Sequence, residues 1–300
     1  MLKFAGDIFK AVLTLFFIIT AVFFIISAMP GDPARLIAGD FAPPEEVEKL
    51  RKELNLDKPL LQRYIHTIIS IATLNFGNSL YTNQKVKDIL KERLKNTFIL
   101  AFSSISLSMI FGTFIFLLYF KFRGAEDIIT TITTVLWSIP NFWLGLILII
   151  FLSVKLKIFP VSGFDSPKGL FLPALTLSIS LSVVTGRFMK NLSDEFLSSD
   201  FFLFLKAKGV RGWRRIFHII RFIMPGIMTV IGIQAGVLLS GTVITETLFS
   251  FPGIGSLTVE SVVSRDFPLI YACVFTISSL WVIINFVVDK IIRMLDPRMR

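Results

Sequence analysis

TFILAFSSISLSMIFGTFIFLLYF, residues 97–120, carries no charged residue over 24 positions. As a helix it would be about 36 Å long, more than the roughly 30 Å hydrocarbon core of a bilayer. Five further stretches are predominantly apolar: Ala11–Ala28, Ile128–Leu152, Leu170–Gly186, Ile223–Phe249 and Phe267–Val288. The spacing therefore predicts an all-α integral membrane protein with six transmembrane helices. Composition agrees. Of 300 residues, 54% are hydrophobic and 17% charged, against about 45–50% and about 25% in soluble domains. The mean hydropathy is +0.74. These values exclude a disordered chain, a disulfide scaffold and a simple soluble enzyme. Cys273 is the single cysteine, so no internal disulfide forms. The net charge of +10 fits cytoplasmic loops and lipid headgroups, and nucleic acid is not expected as a partner.

Lys3 and Lys10 precede the first apolar run, and Ser27-Ala28 end it, as in a signal peptide. The run exceeds a usual signal core and five spans follow, so residues 1–28 are expected to be a retained anchor. Lys and Arg counts give the orientation. With the N-terminus cytoplasmic, the inner segments hold 16 and the short outer loops hold 4. The remaining 11 lie in residues 29–96, offset by 9 acidic residues, and long loops report orientation weakly. Both termini are expected inside. Residues 29–96 then form an extracytoplasmic loop with amphipathic helices. Glu45 and Glu46 follow Pro43-Pro44, and Lys49, Arg51 and Lys52 come later, an order that suits the helix dipole. Val86, Ile89, Leu90 and Leu94 make a second apolar stripe. Such helices either lie at the headgroups or offer a docking surface. Residues 97–300 are expected to be a five-helix core with a cytoplasmic loop at 187–222.

Reaction chemistry is missing. There is no phosphate loop, no complete dinucleotide fingerprint and no serine-nucleophile elbow. His66 and His218 stand far apart and no second cysteine exists, so no metal site is expected. Charged residues at membrane depth are costly and mark function. Glu246, near the end of the fifth span, is either a pathway residue or an interfacial carboxylate reaching water. Gly232, Gly236 and Ser240 recur every four residues along that span. A stripe of this kind serves close helix packing or lines a path. Gly236, Ser240 and Glu246 are the candidate pathway residues. Pro140 and Pro173 predict kinks or helix starts.

The loop at 187–222 contains FFLFLKAKGVRGWRR, residues 201–215. Its apolar run, Phe201–Leu205, faces water by the charge count, and such a patch is covered by headgroups or by a partner. Gly209 follows Lys206-Ala207-Lys208 as a helix-ending glycine does. Phe202, Phe204, Lys206, Ala207, Lys208 and Gly209 thus predict a short helix presented to a cytoplasmic partner.

At these residues the chain resembles the permease subunits of binding-protein-dependent ABC importers, in the dipeptide, oligopeptide and nickel group. KAKG at 206–209 is similar to that group's coupling motif. MPGDPA (29–34), LNLDKPL (54–60), SIPNFWLGL (138–146), FPVSG (159–163) and LPALTL (172–177) follow the family order. So do GIQAGVLLSGTVITETLFSFPGIG (232–255), RDFP (265–268) and LDPRMR (295–300). The chain departs from the pattern at Phe201–Leu205, where the family has polar and small residues, and at NFGNS (75–79). The resemblance implies a type I ABC importer permease architecture in the cytoplasmic, or inner, membrane. It implies a second, paralogous permease subunit, two cytoplasmic ATPase subunits on the coupling loops and an extracytoplasmic substrate-binding protein. No cofactor is expected in this chain, since ATP would be bound by the partners. The cargo would be a peptide or a nickel chelate. The alternative is a secondary transporter or channel without ATPases, which would need more buried charge than Glu246 provides.

The orientation is directly testable. Reporter fusions at 47 and 86 should report outside, and a single cysteine at 208 should react with impermeant reagents only from inside. Labelling of position 208 from outside alone would reverse the scheme.

Overall fold

The computed structural model describes residues 2–28, 30, 32–39, 41–53 and 56–295. The chain is helical. Its elements are α1 (Leu2–Ser27), α2 (Pro33–Ala38), α3 (Pro44–Glu53), α4 (Leu60–Ala72) and α5 (Val86–Lys121). A 3₁₀ turn, Arg123–Ala125, leads to α6 (Glu126–Ser138) and α7 (Asn141–Leu148), which continues as a π-helical stretch, Ile149–Lys155. Then come α8 (Pro167–Ser198), α9 (Asp200–Ala207), α10 (Trp213–Gly241), α11 (Val243–Leu248), α12 (Ile254–Val263) and α13 (Phe267–Leu295). Among the described residues, α1, α5, α8, α10 and α13 are each long and apolar enough to cross a membrane.

The third span, expected at Ile128–Leu152 with a kink or helix start at Pro140, is not one continuous helix. It is a bent pair, α6 and α7, meeting at 92°. Pro140 explains the bend. Its ring disfavours helical backbone at the preceding residue, and Ile139 is extended (φ −71°, ψ 124°). Pro140 then starts α7 at its N-cap. Pro173 acts otherwise: α8 begins earlier, with Pro167 in its first turn, and runs through Pro173. The segment 187–222, expected as a cytoplasmic loop, is largely helical: α8 continues to Ser198, α9 spans Asp200–Ala207 and α10 starts at Trp213. The fifth span ends at Gly241, so Glu246 stands on the separate helix α11.

The chain divides into two compact units. The first comprises Met1–Asn96 with Gly253–Val282, so the α12 segment groups with the N-terminal part. Its core joins Val86, Leu90, Ile254, Leu257, Leu269, Ala272 and Cys273. The stripe read from Val86 and Leu90 therefore meets α12 and α13. A buried carboxylate holds the turn before α5. Asp266 accepts from Ser79 Oγ at 2.5 Å and from the Leu80 amide at 3.0 Å, and its other oxygen accepts from the Leu269 amide at 3.3 Å. Outside this core, Asp32 caps α2 through the Ala34 amide and pairs with Arg51 of α3. The Arg51 guanidinium holds the Asp32 carboxyl below the usual carboxylate range.

The second unit comprises Thr97–Pro252 with Ile283–Arg300. Here α8 is the most enclosed of the spans. Glycines let the helices approach. A Cβ on Gly112 of α5 would stand 2.7 Å from Cβ of Thr185 on α8, and one on Gly186 would stand 2.7 Å from Ile115 on α5. Buried hydroxyls and one amide add directional ties. Gln234 Nε2 of α10 donates to Thr185 Oγ1 at 2.8 Å and to the Leu181 carbonyl at 3.1 Å. Small residues and hydrogen bonds carry helix association in lipid, where burying apolar surface gains little.

Two outcomes follow. Asp266→Ala leaves three donors, the Ser79 hydroxyl and the Leu80 and Leu269 amides, without their acceptor, at about 1–3 kcal/mol for each that stays buried. Thermal unfolding in nanodiscs should shift down and residues 76–86 should exchange hydrogen faster, while unchanged stability would contradict this role. Asp32, with its lowered folded value, contributes stability above the ordinary carboxylate range and loses it as pH falls through that lowered value. Hydrogen exchange over residues 33–53 should therefore rise at acid pH, and Asp32→Asn should flatten the dependence.

Candidate functional site

The helix α9 is built by local signals at both ends. Ser199 is its N-cap, and Ser199 Oγ accepts from the Phe202 amide at 3.2 Å. Asp200 lies in the first turn and Lys206 in the last, matching the helix dipole. Past the last turn, Gly209 has φ +74°, the left-handed region where a Cβ is disfavoured. The Gly209 amide donates to the Lys206 carbonyl at 3.1 Å and the Val210 amide to the Leu205 carbonyl at 3.0 Å. This is a Schellman closure, and its usual apolar clasp is present, since Leu205 and Val210 share one cluster.

That cluster seats α9. Leu205 is buried with Phe196 of α8 and with Ile219 and Ile223 of α10. Phe202 turns the same way. Its ring lies 5.8 Å from that of Phe196, and the Arg215 guanidinium stands 5.6 Å above it. The apolar run read as one patch is therefore divided. Phe202 and Leu205 anchor α9 to α8 and α10, while Phe201, Leu203 and Phe204 are exposed. Lys206, Ala207, Lys208 and Gly209 are exposed beside them. The Lys208 ammonium lies 4.7 Å from the centre of the Phe204 ring. The outward surface of α9 is thus apolar with a basic edge.

The candidate pathway residues do not gather with this surface. Glu246 has 0% exposure, so it does not reach water as an interfacial carboxylate would. Its Oε1 accepts from Thr97 Oγ1 of α5 and from Thr242 Oγ1, both at 2.9 Å. Thr242 is the break between α10 and α11, so the carboxylate joins that break to α5. Gly232 lets α10 approach Val288 of α13 closely, whereas a Cβ on Gly236 would meet Ile284 at an ordinary 3.9 Å. The side chain of Ser240 lies outside those described.

Arg187 was missed as anything but loop charge. It sits on α8, and Nη2 donates to the Thr130 carbonyl at 2.9 Å, Thr133 Oγ1 at 2.9 Å and Thr134 Oγ1 at 2.5 Å. Lys190, one turn on, pairs with Glu126 at 3.3 Å and Asp194 at 3.0 Å. The hydroxyl-rich run Thr130-Thr131-Ile132-Thr133-Thr134 in an apolar segment was the signal available. These contacts tie α8 to α6 near the end of α8 that carries α9.

Residues 104–300 match the family described as the binding-protein-dependent transport system inner membrane component, and residues 1–101 match its N-terminal companion. The glutathione transport system permease protein GsiC of Escherichia coli (strain K12) is 36% identical over 290 residues, which are 96% of this chain and 95% of that protein. The protein of the same name from Shigella boydii serotype 4 (strain Sb227) is 35% identical with the same coverage. Among solved structures, an inward-facing form of the MetNI methionine ABC transporter has a chain with a TM-score of 0.58 and 15% identity. The alignment covers 69% of this chain and 96% of that one, a likeness of fold alone. With its helical spans, its order of motifs and a match over both segments, the chain belongs to the binding-protein-dependent inner membrane components, the permease subunits of ABC importers.

Proposed function

We propose that this permease subunit forms, with a second and paralogous subunit, the path for peptide uptake, and that α9 is where two cytoplasmic ATPases grip the pair. Both termini are then cytoplasmic, in an inner membrane, and an extracytoplasmic binding protein delivers the cargo. The single observation that carries this reading is the divided surface of α9. One side is rooted in α8 and α10 through Phe202 and Leu205. The other leaves Phe201, Leu203 and Phe204 uncovered beside Lys206 and Lys208. A helix seated on the ends of two spans passes a push on its outer side into both. ATP on the partners biases the spans only if those contacts differ between inward- and outward-facing states. Peptide cargo is supported by the relationship to permeases named for glutathione, itself a small peptide. Glu246, with Thr97 and Thr242, has a positioning part in this reading, holding the α10–α11 break.

Burying one Phe side chain stabilises by about 1.5–3 kcal/mol, so two or three outward apolar side chains in a partner groove suffice to anchor a subunit. Phe204→Asp with Leu203→Asp should leave membrane level unchanged, sharply reduce co-purification of the ATPases and abolish uptake. Gly209→Asp should do the same by disfavouring the left-handed turn. Phe202→Asp is the contrasting variant, expected to lower the stability of the permease itself. Normal ATPase co-purification and normal uptake in the Phe204, Leu203 double variant would overturn the assignment.

A further inference from the structure

A cleft of about 440 Å³ opens in the first unit, between the end of α1, α4 and the start of α13. Its apolar floor includes Phe23 and Tyr271, and Lys58, Arg63 and His66 stand along it. Among the described residues, no acidic side chain lines it. Among the described residues no carboxylate lies within ion-pair distance of Lys58, Arg63 or His66, whereas Arg51 nearby in sequence is held by Asp32 and Glu48. Arg63 is partly buried as a residue.

The depth of the cleft narrows the choice of anion. The helix α4 shows an unpartnered apolar stripe, with Leu61 67%, Ile65 48% and Ile69 56% exposed at every fourth position. Arg63, His66, Thr67 and Ser70 turn instead to the cleft. Tyr64 fixes the level: its hydroxyl lies 2.8 Å from Thr20 Oγ1, and its ring lies 5.3 Å from Phe23. Thr20 is seven residues before Ser27, about 10 Å below the end of α1 by helical rise. Interfacial amphipathic helices rest about 5–10 Å into the headgroup and acyl boundary. An apolar stripe at that level faces acyl chains, and the cations behind it face phosphates.

We propose that this cleft holds the phosphate-bearing headgroup of an anionic phospholipid from the leaflet where α1 ends at Ser27. Arg63 and Lys58 would bind the phosphate by charge-assisted hydrogen bonds, His66 would add a further polar contact, and the floor at Phe23 and Tyr271 would take the first apolar carbons. This rests on α1 crossing the membrane, but it does not depend on the cargo or on ATPase coupling.

The test is native mass spectrometry of the assembled transporter, exposed in detergent to phosphatidylglycerol or to phosphatidylcholine. Wild type should retain phosphatidylglycerol in preference to phosphatidylcholine, and excess inorganic phosphate or peptide should not displace it. Lys58→Gln with Arg63→Gln should lower retention about tenfold or more, and Arg63→Lys should keep most of it. Lys58→Gln alone, at an exposed site, should give a partial loss and carries the test if the double variant fails to assemble. Equal retention in wild type and in Lys58→Gln with Arg63→Gln would overturn the proposal. Equal retention of the two lipids, or displacement by inorganic phosphate or peptide, would do so too. Wild type that retains phosphatidylglycerol but takes up no peptide would count against the transport reading and support this one.

Discussion

Where a backbone leaves the helix at membrane depth, its N–H and C=O groups have no water to turn to, and the protein must supply their partners. The interruptions on either side of α11 answer to that constraint. At Thr242, between α10 and α11, the Glu246 amide donates to the Thr242 carbonyl at 2.8 Å, and the Glu246 carboxylate accepts from the Thr242 hydroxyl. After α11, the Phe251 amide donates to the Glu246 carbonyl at 2.8 Å, and the Gly163 amide to the Phe249 carbonyl at 2.9 Å. Phe249 and Phe251 bury the segment, and the ring of Phe251 lies 4.8 Å from that of Phe164. A single acidic residue thus serves both a side-chain and a main-chain role at the same break.

The same scarcity of water decides how the spans associate. Apolar surface is no better off against a helix than against lipid, so shape and hydrogen bonds do the sorting. The interlock of Gly112 and Gly186 brings α5 and α8 close enough for Ser108 Oγ to stand 3.2 Å from Thr185 Oγ1. Gln234 of α10 joins the same buried group. The helix α8 is accordingly held on several sides, by α5 and α10 here and by α6 through Arg187 and Lys190. A span so constrained moves with its neighbours, and α9 is attached to its end. That attachment seats the short helix rather than leaving it a loose loop, because Leu205 is buried with Phe196 and Ile219 in the core they share.

Sequence alone determined where the spans lie, though not how far α8 and α10 run past them, because runs of about 20 apolar residues have few other uses. It also determined where α9 stops, since a glycine past the last turn acts through the adjacent backbone. The family followed from motif order along the chain. What only the tertiary structure decided was direction and partnership. Periodicity could not tell that Phe202 and Leu205 turn to α8 and α10 while Leu203 and Phe204 turn away, because all are apolar and the run is shorter than two helical turns. Nor could it tell that Glu246 is enclosed by Thr97, a residue 149 positions away, or that Arg187 serves the threonines of α6. The 92° bend at Pro140 was legible as a possible kink and not as an angle, since a proline removes a hydrogen bond but the packing around it sets how far the helix turns.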